Sequence, residues 1–335
     1  MTSGRVWIRL LTACAALGAG AVAVVVAALL LRDALGTPAT SSASTAAPAP
    51  AAAPAAPRTA TAASAVPAGF PAPPPGAVVR AHEMGSNVLA VAAVDQPTGR
   101  LVQVSVLGPS GTGVRGLRVT VAAGGAARPA VACGAGCYRT TLHSTSDLVA
   151  VRVRGRAANA DWHVALPRDA PSAAGFVRQA TATWRALRSV SWHDVLGSSE
   201  HDVVTTEWQA AAPDRLAYRI RGGPSAVIIG DRRWDRQSRR TPWLVSQQLD
   251  PQHQPTPFWT RAVDAHVLGR ATLGGRNLTR VSFFDPNIPA WFEILVDPST
   301  MHTLRMGMYA TAHFMHDTYR DFDAPTTIAP PVKPR

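Results

Sequence analysis

The chain has 335 residues, enough for two ordinary domains, and a formal net charge of +12 that is almost wholly arginine, Lys333 being its one lysine. The arginines are scattered, with only short pairs such as Arg232–Arg233 and Arg239–Arg240, so the basic face or run that marks a nucleic-acid binder is missing. Enrichment in Arg and Ala is what a GC-rich coding sequence produces; it sets nucleic acid aside as a partner and leaves a basic body that an anionic lipid surface would attract.

Leu10–Leu31 is an almost unbroken apolar run. A helix needs roughly 20 such residues to cross a bilayer, and the core of a cleaved signal peptide is shorter. Arg5 and Arg9 precede the run, while Arg32 behind it is nearly balanced by Asp33. The positive-inside rule then places the N-terminus in the cytoplasm and the bulk of the chain outside. Residues 1–36 are therefore expected to be a cytoplasmic tip and single-pass transmembrane signal-anchor, with the cell membrane as partner and an extracytoplasmic body. Leu11-Thr-Ala-Cys14 also has the shape of a lipoprotein cleavage site that would lipidate Cys14, but the apolar run lies mostly after Cys14, the wrong order for that processing. Residues 37–76, mostly Ala, Pro, Ser and Thr, read as a disordered, partly polyproline spacer.

Residues 77–168 alternate short β-like runs with Gly/Pro turns: Asn87–Val94, Leu101–Leu107, Leu117–Val121, Tyr138–Leu142, Leu148–Val153 and Asp161–Leu166. In Leu101–Leu107 the alternation puts Val102, Val104 and Val106 on one face. The pattern predicts a small antiparallel, Ig-like β-sandwich. Cys133 and Cys137 flank Gly-Ala-Gly, a spacer flexible enough to close a disulfide outside the cell. A thiolate copper site is the alternative, although no His or Met stands in that loop to complete it. The segment is vaguely similar to the small CopC-like and YtkA-like copper-resistance sandwiches without their Met-rich or N-terminal His ligands, so copper binding does not carry over.

Residues 169–328 open with a helix signal. Pro171-Ser172 provides a start, and Phe176, Val177, Ala180, Trp184 and Leu187 recur on one face. Beyond Ser189 the chain reads as strands joined by tight turns: Arg221-Gly-Gly-Pro, Gly230-Asp-Arg, Leu273-Gly-Gly-Arg and Asp297-Pro-Ser-Thr. One helix and a long antiparallel meander make an α+β, mainly β arrangement. A single helix cannot cover so large a sheet, which leaves concave apolar surface for a ligand. Residues 329–335 form a short tail.

Two groups of residues carry a family resemblance. The first is Trp208-Gln-Ala-Ala-Ala-Pro213-Asp214-Arg215-Leu216-Ala-Tyr218 followed by Ile228-Ile229-Gly230-Asp-Arg-Arg-Trp234-Asp235-Arg236. It resembles the periplasmic lipoprotein-carrier superfamily, the LolA-like and LppX/LprG-like lipid carriers, in which a Pro-Asp-Arg-Leu turn joins two strands and a Gly-x-x-Trp turn follows. The second group is Ser282–Pro286, Pro289–Phe292 and Ala312-His313-Phe314-Met315-His316-Asp317-x-Tyr319-x-x-Phe322. It resembles the soluble C-terminal region of actinobacterial CopD-like copper-resistance membrane proteins, without their several transmembrane segments.

The resemblance implies a half-open antiparallel barrel with one main helix that shields an acyl chain or another apolar ligand. Leu304, Met306, Met308, Ala310, Ala312 and Phe314 alternate along what reads as one last long strand, a stripe that equally suits a packed core. The expected apolar lining is Trp208, Phe283, Met306, Met308 and Phe314. Imidazole and thioether at His313, Met315 and His316 make copper the alternative ligand, although on one strand His313 and Met315 share a face that His316 does not. No cofactor is otherwise expected. No nucleophile elbow, His-Glu-x-x-His or phosphate-cradling loop is present, and Glu200, Glu207 and Glu293 stand isolated, so the reading is of a binding protein rather than an enzyme, with a ligand-free envelope scaffold as a further alternative.

Overall fold

The computed structural model describes residue 66 and residues 69–199, 202–249, 251–310 and 313–331. The expected anchor Leu10–Leu31, Cys14 and residues 37–65 of the spacer lie outside the described residues. Among the described residues no helix is long and apolar enough to cross a membrane.

Among the described residues, nine strands build the sandwich. β1 (Val78–Met84), β2 (Asn87–Gln96), β3 (Gly99–Leu107), β6 (Val131–Gly134) and β7 (Cys137–Leu142) form one sheet in the order β1-β2-β3-β7-β6. β4 (Arg118–Ala122), β5 (Arg128–Pro129), β8 (Leu148–Arg154) and β9 (Asn159–Ala165) form the other, in the order β5-β4-β8-β9. The alternation read from β3 is observed: Val102, Val104 and Val106 are buried between the sheets with Val119, Val121, Val151 and Val153. Cys133 and Cys137 are joined by a disulfide. The spacing works because Gly136 takes a positive φ of 66° where a side chain would run into the Val106 carbonyl.

The helix α1 (Ala174–Ala186) follows, burying Val177, Ala180 and Trp184. Its entry is pinned to a later strand, because Ala173 N–H donates to Ala265 O at 2.7 Å and Val267 N–H to Pro171 O at 2.9 Å. Then come β10 (Ser189–Ser199), β11 (Asp202–Ala211), β12 (Arg215–Ile220), β13 (Ser225–Ile229), β14 (Arg232–Arg236), β15 (Leu244–Gln247), β16 (Val263–Leu273), β17 (Arg276–Asp285), β18 (Ala290–Val296), β19 (Thr303–Ala310) and β20 (His313–Arg320). They make one antiparallel sheet of 11 strands ordered β15-β14-β13-β12-β11-β10-β20-β19-β18-β17-β16. The last strand inserts beside the first, and among the described residues the ends β15 and β16 are not paired with each other, so the barrel is open. A single apolar cluster joins Ile228 of β13 to Phe283 of β17 through α1. The sheet is therefore curled around the helix, its concave face inward.

The connection between β15 and β16 crosses this concave side. Phe258 packs edge-on against Trp192, and Trp259 against Phe283 and Phe292. Asp285 holds the crossing in place: its buried carboxylate accepts the backbone N–H groups of Thr260 at 2.6 Å, Arg261 at 2.8 Å and Asn287 at 2.9 Å.

The opposite, convex face of β17–β19 is covered by the sandwich. Val79, Ala81, Ala90 and Ala92 of β1 and β2 bury against Phe284 and Trp291. Phe70, at the end of the Ala/Pro-rich stretch, stacks on Trp291 at 5.1 Å, and its neighbour Pro71 accepts from Gln103 and Ser105. The ion pair Arg80–Glu293 at 2.9 Å and the hydrogen bond between Glu83 and His316 at 3.1 Å edge this contact. Strand β2 is thus buried on both faces, between the sandwich core and the large sheet.

One expected element is corrected. Leu304–Phe314 is not a single long strand but a hairpin: β19 and β20 pair with Ala310 opposite His313 and Met308 opposite Met315. The antiparallel pairing reverses the alternation, so Met306, Met308 and Ala310 share the concave face with His313, Met315, Asp317 and Tyr319, while Phe314 goes to the other side. Ala312 lies outside the described residues.

Candidate functional site

The concave face is organised in rows across the strands, because antiparallel register sets inward-facing residues side by side. One row is aromatic. Tyr218 of β12 pairs with Trp208 of β11, Trp208 with Trp192 of β10, and Trp192 with Tyr319 of β20. Ring centroids are 4.7 Å apart for Tyr218–Trp208, 5.4 Å for Trp192–Trp208 and 6.0 Å for Trp192–Tyr319, and Trp184 of α1 meets Tyr319 edge-on at 4.9 Å. Trp192 and Tyr319 are buried beneath the helix, whereas Trp208 and Tyr218, beyond its reach, are only partly covered.

The next row is polar where it is most buried. Asp194 of β10 faces Asp317 of β20, flanked by Thr206 and Met306. Tyr319 donates its hydroxyl to Asp317 Oδ2 at 2.5 Å, and Trp208 Nε1–H donates to Asp194 Oδ2 at 3.3 Å. Burial pushes the Asp194 carboxyl up to about 7 against the pull of the Trp208 hydrogen bond. Burial, and then the negative charge of Asp194, pushes Asp317 well above the carboxylate range. Two adjacent carboxyls in an apolar setting cannot both ionise, so the pair holds a proton near neutral pH. Among the described residues, Trp184 Nε1 and Trp192 Nε1 are buried without a hydrogen-bond partner.

Beyond the carboxyls lies a soft apolar row, Leu196–Met315–Met308–Phe292–Phe283, each member paired with the next. On the other side the concave face ends in a charged group: Arg233 grips Asp235 with two bonds of 2.7 and 2.9 Å and donates to the Tyr218 hydroxyl at 3.1 Å.

Of the residues expected to line a ligand site, Trp208, Phe283, Met306 and Met308 are brought together on this face, in the cluster that includes Val177, Ala180 and Trp184. Phe314 is not among them. It lies on the convex side, 5.7 Å from the His316 ring and against Gly197, because the hairpin turns it outward. The copper set divides in the same way: buried His313 and Met315 face inward, and His316 faces outward to Glu83. Among the described residues no three His, Cys, Asp or Glu side chains gather as a metal site. Trp192 and Asp194 are site residues that the sequence reading does not name, and Tyr218, Asp317 and Tyr319, quoted only within the resemblance motifs, are not assigned to the site. Asp317 carried a signal, since it stands between Met315 and Tyr319 at the spacing of an inward face.

No protein-family model and no curated protein matches the chain. Solved structures similar to it include LprF from Mycobacterium bovis, with 11% identity and a TM-score of 0.37 over 49% of this chain and 100% of that one. The lipoprotein LppX of Mycobacterium tuberculosis has 12% identity and a TM-score of 0.35 over 46% and 97%. A LolA superfamily protein from Nitrosomonas europaea has 10% identity and a TM-score of 0.24 over 45% and 94%.

Proposed function

We propose that this protein is a non-catalytic extracytoplasmic binding protein, tethered to the cell membrane by Leu10–Leu31, that carries or senses an uncharged lipid on the concave face of its open sheet. One observation carries the reading: the apolar rows run on past α1, so that Trp208 and Tyr218 stand only partly covered at the end of a continuous aromatic strip. An acyl chain laid along the Met315–Met308–Phe292 row would gain roughly 25 cal/mol for each Å² of apolar area removed from water, less the cost of ordering it. Admitting the chain requires α1 and the crossing at Phe258–Trp259 to lift from the sheet they now cover.

The polar row selects the head group. Asp194 and Asp317, sharing a proton, both donate and accept, and the indole N–H groups of Trp184 and Trp192 are free to donate to an ester or hydroxyl oxygen. A free carboxylate brought to the same place would meet like charge. Native mass spectrometry of the protein released from an uncharged detergent is expected to show a retained lipid that extracts as an uncharged species. Trp208→Ala should lose most of it, and at pH 8 a fatty-acid methyl ester should bind more than ten-fold tighter than the free acid. A bare protein mass, or equal binding of ester and acid, would overturn the reading.

A further inference from the structure

The same strands that carry the aromatic row present a second, different surface on their convex side. Arg219 of β12 faces away from the concave side, level with Glu207 of β11 and Ser225 of β13. The β12–β13 turn adds Arg221, and the connection after β14 folds back to add Arg239 and Arg240, its own shape held by Ser238 N–H donating to Thr241 Oγ1 at 3.0 Å. Together they enclose a cleft of about 510 Å³. That is the size of a small-molecule site, roughly 300–1,000 Å³, rather than a surface dimple.

The charge in this cleft is unbalanced. All four arginines are exposed, and among the described residues none of their guanidinium groups is in an ion pair. The one carboxylate among the described residues that line it, Glu207, is already engaged by Arg320 at 2.8 Å and His193 at 2.8 Å. Guanidinium groups bind oxyanions through paired N–H donors. Four of them converging from two chain segments exceed what a single carboxylate can use and match a group with several anionic oxygens. A concave site lined by one sign of charge also concentrates such anions from solution. We infer that this cleft binds a phosphorylated group carrying two or more negative charges, with Arg219, Arg221, Arg239 and Arg240 as its ligands and Ser225 as a hydroxyl partner.

Phosphoryl oxygens of this kind occur in soluble phosphate compounds and in lipid headgroups. The full chain in an uncharged detergent would be titrated calorimetrically with inorganic pyrophosphate and, separately, with dihexanoyl phosphatidic acid. Saturable binding of either probe is expected, weakened about ten-fold or more in Arg219→Gln/Arg221→Gln and again in Arg239→Gln/Arg240→Gln. Because the two pairs lie on different segments, misfolding of one variant leaves the other as a test. Arg118→Gln/Arg128→Gln, on exposed strands of the sandwich, should bind like the parent. Pyrophosphate binding alone identifies a soluble source, and binding of the lipid alone identifies a headgroup. Failure of both probes, unchanged affinity in both cleft variants, or an equal loss in the sandwich variant would overturn the inference. The cleft lies on the face opposite the lipid site, so its outcome and that of the lipid measurements are separable.

Discussion

The two halves of the 11-stranded sheet are built differently. Strands β17–β20 are buried on both faces, with α1 and the β15–β16 crossing on the concave side and the sandwich on the convex side. Strands β11–β15 carry mostly intermediate or exposed residues and, among the described residues, have no such cover. The clamped half has the composition of a core, while the open half holds the charged and half-covered aromatic side chains, and both proposed binding surfaces extend onto it. Binding requires surface that folding has not already used, so a sheet larger than its cover divides itself into scaffold and site.

The contrast can be broken most directly through stability. Trp291→Ala, which empties a site packed by Phe70 and Phe284 under the sandwich, should cost about 3–5 kcal/mol in denaturant unfolding. Tyr218→Ala on the open half should cost about 1–2 kcal/mol, and equal losses would show that the two halves are equally packed.

The carboxyl pair lies at the seam between the halves and gives a smaller, pH-dependent effect. Asp194 has a folded value of about 7, above its unfolded value of about 4, so the folded state holds a proton that the unfolded state releases across that window. Stability should therefore fall as pH rises from about 5 to about 7, and Asp317, also raised, adds to the fall. Asp194→Asn should weaken the dependence, leaving the part that buried Asp317 carries, and raise the melting temperature at pH 8. A parent protein that is more stable at pH 8 than at pH 5 would contradict the raised carboxyl.

The smallest effect is expected at the edge of the clamp. Removing the Arg80–Glu293 pair by Arg80→Ala should cost about 1 kcal/mol, since both side chains remain partly solvated, and the loss should shrink in high salt. A much larger loss would mean that the sandwich is held to the sheet chiefly by charge rather than by the apolar contact at Phe284 and Trp291.

Much of this architecture is legible in local sequence. Short β-like runs located six strands of the sandwich and the core valines of β3 but not β1, β5 or β6, the spacing of Val177, Ala180 and Trp184 located the helix, and Cys133-Gly-Ala-Gly-Cys137 located the disulfide. These are short-range properties: a turn, a helical face and a small loop are decided by neighbouring residues. The sequence between Ala310 and His313 has no Gly or Pro to announce a reversal, so the apolar alternation reads straight through into β20 and assigns Phe314 to the wrong face.

What only tertiary structure decided is which strand lies beside which. The insertion of β20 next to β10 brings Asp317 against Asp194 and Tyr319 against Trp192, although the residues stand more than a hundred positions apart in the chain. Nothing local to either aspartate shows that it will be buried or that its neighbour will carry the same charge. The cleft arginines follow the same rule, each an ordinary surface residue until the connection after β14 folds back onto the β12–β13 turn. Local sequence determines an element and the side of it that faces inward. Register and strand order come from how the whole sheet closes around its helix, a property of all the contacts at once.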